Sequence, residues 1–81
     1  MKSELLRKIE KLIEKILAGG NVSYDDAERI LLRLGFKLEI KGSHHIFRKE
    51  GYERNISLKR RSQLLPYQIE LLKEVLKDHG Y

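Results

Sequence analysis

Apolar residues Leu5, Leu6, Ile9, Leu12, Ile13, Ile16 and Leu17 recur at steps of three and four, which predicts an amphipathic helix running to about Leu17. Ser3 can cap its start, with Glu4 in the favourable first turn, and Gly19-Gly20 stops it. Glu10 and Glu14, Lys11 and Lys15, and Arg7 and Lys11 set like charges four apart. The apolar stripe, rather than surface pairing, must therefore hold this helix. Ser23 opens a second helix, with Asp26 approximating the acidic half of a reciprocal cap. Ala27, Ile30, Leu31 and Leu34 line one face, and Gly35 is placed as the left-handed terminator.

The period then drops from about 3.6 to 2. Phe36, Leu38 and Ile40 alternate with Lys37, Glu39 and Lys41, a half-buried strand. Lys41-Gly42-Ser43 makes a turn into a second strand, His44 to Lys49, and Glu50-Gly51 makes another. Tyr52, Arg54, Ile56 and Leu58 alternate with Glu53, Asn55 and Ser57 as a third strand, and Lys59 to Gln63 is a basic loop. Pro66 suits the first position of a last helix, with Ile69, Leu72, Val75 and Leu76 buried and Gly80 at its end. The expected fold class is α+β. A three-stranded antiparallel meander has helices packed on one face, and the other face is free for solvent or a ligand.

Composition narrows this picture. Eighty-one residues, 41% hydrophobic and 36% charged, suit one small globular domain. No apolar run approaches the ~20 residues that span a bilayer, so no membrane partner is expected. Charges interrupt Met1–Ala18 too often for a secretion signal. The absence of cysteine removes disulfides, thiolate zinc sites and thiol nucleophiles, and it is compatible with a cytoplasmic location. The net charge of +5 is concentrated: Lys37 to Arg61 holds eight basic residues against three acidic ones, and the remainder is balanced. A basic stretch of this kind favours a polyanion, nucleic acid above all; a solvated surface with a basic bias is the competing reading.

The densest chemical signal is Lys41-Gly42-Ser43-His44-His45-Ile46-Phe47-Arg48. Adjacent strand residues point to opposite faces. If Phe47 faces the core, His45 shares its side and His44 joins Arg48 on the open face; if Ile46 faces the core, the two exchange roles. The alternation of this strand leaves both registers open. Imidazole, with a pKa of about 6.5, moves protons near neutrality. Set among Lys and Arg it suits phosphodiester cleavage in RNA, where cations stabilise the phosphorane and no metal is required. Zinc would need three or four ligands, and only His44, His45 and His79 stand beside scattered carboxylates, so neither metal nor cofactor is expected. His79 near a helix end reads as a cap.

From about Val22 onward, across about 60 of the 81 residues, the chain resembles the HicA toxins of HicA–HicB toxin–antitoxin pairs. The resemblance rests on a helix ending Leu34-Gly35-Phe36, a strand, and then Lys41 to Arg48, followed by a short strand and a last helix. It implies a double-stranded-RNA-binding-domain-like α-β-β-β-α core over residues 21–81, with residues 1–20 as an added N-terminal helix. It also implies metal-independent cleavage of mRNA and a HicB-like antitoxin that covers the site. The family's catalytic histidine maps onto His44, and relatives that place it one position later keep His45 as a second candidate. Two departures stand out. Ile56 to Arg61 lacks the Pro-x-His pattern common after the third strand, and Leu64-Leu65-Pro66-Tyr67-Gln68 replaces the usual start of the last helix.

The leading expectation is thus an endoribonuclease toxin. His44 (or His45) would be the general acid/base, and Lys41, Gly42, Ser43, Arg48, Lys59, Arg60 and Arg61 would hold RNA, mostly through phosphates. The rivals are a non-catalytic RNA-binding module on the same fold and an interaction module using the first helix as a partner face.

Overall fold

The structure is a computed structural model that describes residues 4–60 and 63–81, with side chains from Arg7 onward. The Ser3 cap, the Leu5 and Leu6 positions of the stripe, and Arg61 fall outside the described parts. The order is α1 (Glu4–Leu17), α2 (Tyr24–Arg33), β1 (Lys37–Lys41), β2 (His44–Arg48), β3 (Ile56–Lys59) and α3 (Pro66–Asp78).

Local chemistry sets most of these boundaries. The Asp26 N–H donates to Ser23 Oγ at 3.1 Å, closing one open donor at the start of α2. At its end Gly35 takes φ +101°, a conformation side chains resist. The Gly35 and Phe36 N–H groups then donate back to the Leu32 and Leu31 carbonyls, the paired bonds of a Schellman cap. The ends of α1 and α3 are closed by the same pair, from Gly19 and Gly20 and from Gly80 and Tyr81. Pro66 begins α3 as expected. There the Leu65 N–H donates to Gln68 Oε1 at 2.8 Å, which satisfies the buried Gln68 amide oxygen.

The sheet is an antiparallel meander ordered β1-β2-β3. Cross-strand partners share a face. Leu38↔Phe47, Ile40↔His45, Phe47↔Ile56 and His45↔Leu58 make the inner face; Lys37↔Arg48, Lys41↔His44 and His44↔Lys59 make the outer one. Phe47 is fully buried, so of the two registers that alternation allows, the one with His45 inward is adopted. Helices α2 and α3 cover the inner face, their Ala27, Ile30, Leu31, Leu72, Val75 and Leu76 joining Phe47, Ile56 and Leu58 in one core. From α2 to α3 this is the α-β-β-β-α arrangement of double-stranded-RNA-binding domains. Ile9, Ile13 and Ile16 of α1 belong to the same core, and α1 packs against α2 and α3. Those three positions of the stripe are therefore covered within the chain itself, while Leu17 stays exposed.

Two expectations need correction. β3 begins at Ile56, not Tyr52. Pairing with β2 starts at Phe47↔Ile56, and the residues before it bond to α3 instead: the Tyr52 hydroxyl donates to Asp78 at 2.7 Å, and Arg54 pairs with Glu74. β2 also stops at Arg48, one residue early. Ile40 lies on the inner face by register yet is 60% exposed, because β1 is an edge strand.

Candidate functional site

One end of the sheet gathers the chemistry. It carries the β1–β2 turn, where Gly42 adopts φ +59°, and the register brings Lys41, His44 and Lys59 side by side across three strands. The chain then runs through Arg60 towards α3, while the start of α2 approaches the same end. A backbone bond from the Leu64 N–H to the Val22 carbonyl, 2.8 Å, ties the segments preceding these two helices together. Helix N-termini carry a partial positive charge. The first turn of α3 has no acidic residue, while that of α2 holds Asp25 and Asp26.

His45, half-buried on the inner face, reaches Tyr24, the first residue of α2. The Tyr24 hydroxyl lies 2.7 Å from His45 Nδ1 and donates to Glu28 Oε1 at 3.0 Å. The imidazole stands edge-on to the tyrosine ring, centroids 5.0 Å apart at 76°. Burial, and then the Glu28 carboxylate, pushes the Tyr24 hydroxyl up to about 12, so it keeps its proton at neutral pH. The Arg60 guanidinium sits 5.4 Å from the centre of the same ring and pairs with Asp25 at 3.4 Å. Arg60 and His45 thus share one aromatic neighbour.

His44 occupies the outer face and is exposed. It lines a shallow cleft of about 240 Å³ with Ser57, Lys59, Leu65, Tyr67 and Gln68, and Tyr67 is 68% exposed there. Among the described residues His44 has no side-chain hydrogen bond. Ser43 is exposed beside it in the turn.

The basic residues divide by position. Lys41, Lys59 and Arg60 lie at the histidine end. Arg48 is four residues further along β2, about 13 Å by strand rise, and its Nε pairs with Glu39 at 3.3 Å. Lys41 pairs with the same Glu39 at 3.5 Å. These pairs are all exposed and each contributes less than about 1 kcal/mol, so a phosphate can displace the carboxylate. Among the described residues Lys59 has no ion pair, and no group of three or more metal-ligating side chains comes together.

Tyr24 and Glu28 are site residues that the sequence reading passes over. The signal for them is their spacing of four on one helix, with Tyr24 three residues before Ala27 and so on the buried stripe. His79, by contrast, is the cap expected: its Nδ1–H donates to the Val75 carbonyl at 2.7 Å. It packs with Phe36 and Tyr52 at the other end of the sheet. No described helix is long and apolar enough to cross a membrane.

No curated protein and no solved structure gives a significant match. The family described as HicA toxin of bacterial toxin–antitoxin systems does match, over residues 24–81, so that α1 lies outside the matched part. The match begins at the tyrosine that meets His45 and takes in the whole sheet and α3. With well over half of its length so matched, this chain belongs to the HicA family, toxins that are paired with a cognate antitoxin.

Proposed function

We propose that the chain is an endoribonuclease that cleaves mRNA in the cytoplasm without a metal, and that His45 moves the proton. The observation that carries this reading is the hydrogen bond between His45 Nδ1 and the Tyr24 hydroxyl, which orients one imidazole at the cation-rich end of the sheet. In the reaction the base takes the proton from a ribose 2′-hydroxyl, whose oxygen attacks the adjacent phosphorus. The bond from phosphorus to the 5′-oxygen breaks, and that oxygen regains a proton. A cyclic phosphate and a 5′-hydroxyl result. A neutral imidazole serves the first transfer and its conjugate acid the second. Cations nearby stabilise the charge that gathers on the phosphorane oxygens.

Between the two histidines, the one with a fixed orientation is the better acid/base, since misplacement by about 1 Å can cost about 10²-fold. His44 then belongs to RNA binding on the outer face, with Lys41, Gly42, Ser43 and Lys59. Arg60 is held for a phosphate near His45, and Arg48 contacts the strand further away. Arg61 completes the expected set from outside the described residues. A HicB-like antitoxin with an acidic surface would mask this end.

The test is cleavage of a long mRNA in EDTA by the wild type, His45→Ala and His44→Ala. His45→Ala is expected to lose about 10²–10⁴-fold in rate, and His44→Ala is expected to lose mainly affinity. Equal rates for wild type and His45→Ala remove His45 from the mechanism. Tight binding with no cleavage by any form selects the RNA-binding module instead.

A further inference from the structure

We infer that Tyr24 and Glu28 are positioning residues that hold His45 in its Nδ1–H tautomer and leave the Nε2 lone pair free to take the substrate proton. This rests on the reading of His45 as the acid/base, but half of its test does not depend on cleavage.

A tyrosine hydroxyl has one hydrogen to give and accepts through its lone pairs. Tyr24 has two partners within hydrogen-bond distance, Glu28 Oε1 at 3.0 Å and His45 Nδ1 at 2.7 Å. An ionised carboxylate can only accept, so the single hydroxyl proton goes to Glu28. The remaining contact requires a donor, and the only hydrogen available is on His45 Nδ1. The reverse arrangement, with Tyr24 donating to the imidazole, would press two lone pairs together across the 3.0 Å contact to Glu28. It becomes acceptable only if the carboxylate is protonated. At neutral pH the chain of bonds therefore runs one way, His45 Nδ1–H to Tyr24 to Glu28. The edge-on packing of the two rings fixes the imidazole plane as well.

The neighbours of His45 do not compete for Nδ1. Ile40 and Leu58, its cross-strand partners on β1 and β3, are apolar. Among the described residues, the charged groups set against Tyr24 are Glu28 and Asp25 from α2 and Arg60 from the segment after β3, and Asp25 and Arg60 are paired with each other. Glu28 acts at one remove, through a hydroxyl. When Nε2 takes a proton, the ring becomes a cation and its Nδ1–H bond to Tyr24 strengthens. The hydroxyl in turn polarises towards Glu28, and no relay proton changes atom. The device sets a tautomer and lends the imidazolium moderate support.

The test is two-dimensional ¹H–¹⁵N NMR of the imidazole nitrogens across a pH titration, together with cleavage kinetics, on the wild type, Tyr24→Phe and Glu28→Gln. Neutral His45 in the wild type is expected to show a protonated Nδ1 and an unprotonated Nε2. Tyr24→Phe keeps the buried ring and removes the acceptor, and His45 should revert to the Nε2–H form that isolated imidazoles favour. Its turnover should fall by about 10²-fold with KM little changed. Glu28→Gln keeps a side-chain oxygen that can accept from Tyr24 but removes the charge. It should retain the tautomer and lower turnover by less than Tyr24→Phe does. A wild-type His45 protonated at Nε2, or a tautomer indifferent to Tyr24→Phe, overturns the relay whatever the activity. A wild type with the Nδ1–H form that cleaves no RNA upholds the relay and defeats the nuclease reading alone. Circular dichroism of each variant separates loss of the relay from loss of the fold.

Discussion

Replacing Ile13 with alanine tests whether α1 is structural or a partner surface. Ile13 is 4% exposed and sits in the core with Ile9 and Ile16. The change removes three carbons, about 2.4 kcal/mol at about 0.8 kcal/mol per buried methylene. The cavity left behind adds to this, so about 3 kcal/mol is expected. A domain of this size is stable by about 4–12 kcal/mol, so the loss is a large part of the whole. With a urea slope of about 1–2 kcal/mol per molar, the unfolding midpoint should fall by about 1.5–3 M. The melting temperature should drop by about 12–24 °C. Leu17 on the same helix is 38% exposed, and Leu17→Ala should cost less than about 1 kcal/mol. The assay is urea unfolding followed by far-ultraviolet circular dichroism at two protein concentrations. If Ile13→Ala costs no more than Leu17→Ala, or if the midpoint depends on concentration, the stripe is covered by another molecule rather than by α2 and α3.

Three further outcomes are expected. Burial and then a carboxylate raise the hydroxyls of Tyr24 and Tyr52 to about 12 from an ordinary 10. The folded state thus holds these protons more tightly than the unfolded chain. Their contribution is complete below about pH 10 and is lost as pH rises towards 12, so alkaline unfolding should be steep and the double Tyr→Phe variant should flatten it. Lys59→Ala should weaken RNA binding evenly across sequences and reduce the steepness of its salt dependence by about 1 on a log–log plot; an unchanged slope removes Lys59 from the interface. Gly42→Ala, at φ +59° with open space around the added carbon, should cost about 1–2 kcal/mol from backbone strain alone, measured by the same urea titration.

Features set by a few neighbouring residues are legible in the sequence. Ser23, Gly35 and Pro66 each act on backbone groups within a turn of themselves, and each stands where expected. Alternation from Tyr52 onward makes the third strand too long because it is blind to partners. Asp78 and Glu74, 26 and 20 residues away along the chain, hold Tyr52 and Arg54 off the ladder. The His44–His45 doublet is resolved only by the fate of Phe47, which is decided when α2 and α3 cover one face. Tyr24 and Glu28 carry little signal of their own because the residue that gives them chemical meaning is 21 positions from Tyr24. Charge counting finds the basic third of the chain but not its division into two groups, since Arg48 and Lys59 look equivalent until the register separates them.

The backbone bond between Leu64 and Val22 bears on when the protein becomes dangerous. It joins stretches on either side of the entire sheet, and on the reading proposed above His45 needs both of them: Tyr24 from one, Arg60 from the other. A polypeptide still emerging from the ribosome presents Tyr24 and His45 before Arg60, and so lacks part of the surroundings that would make the histidine reactive. On that reading the reactive form arises only once the stretch through Leu64 has been made, which leaves an interval in which an antitoxin can arrive.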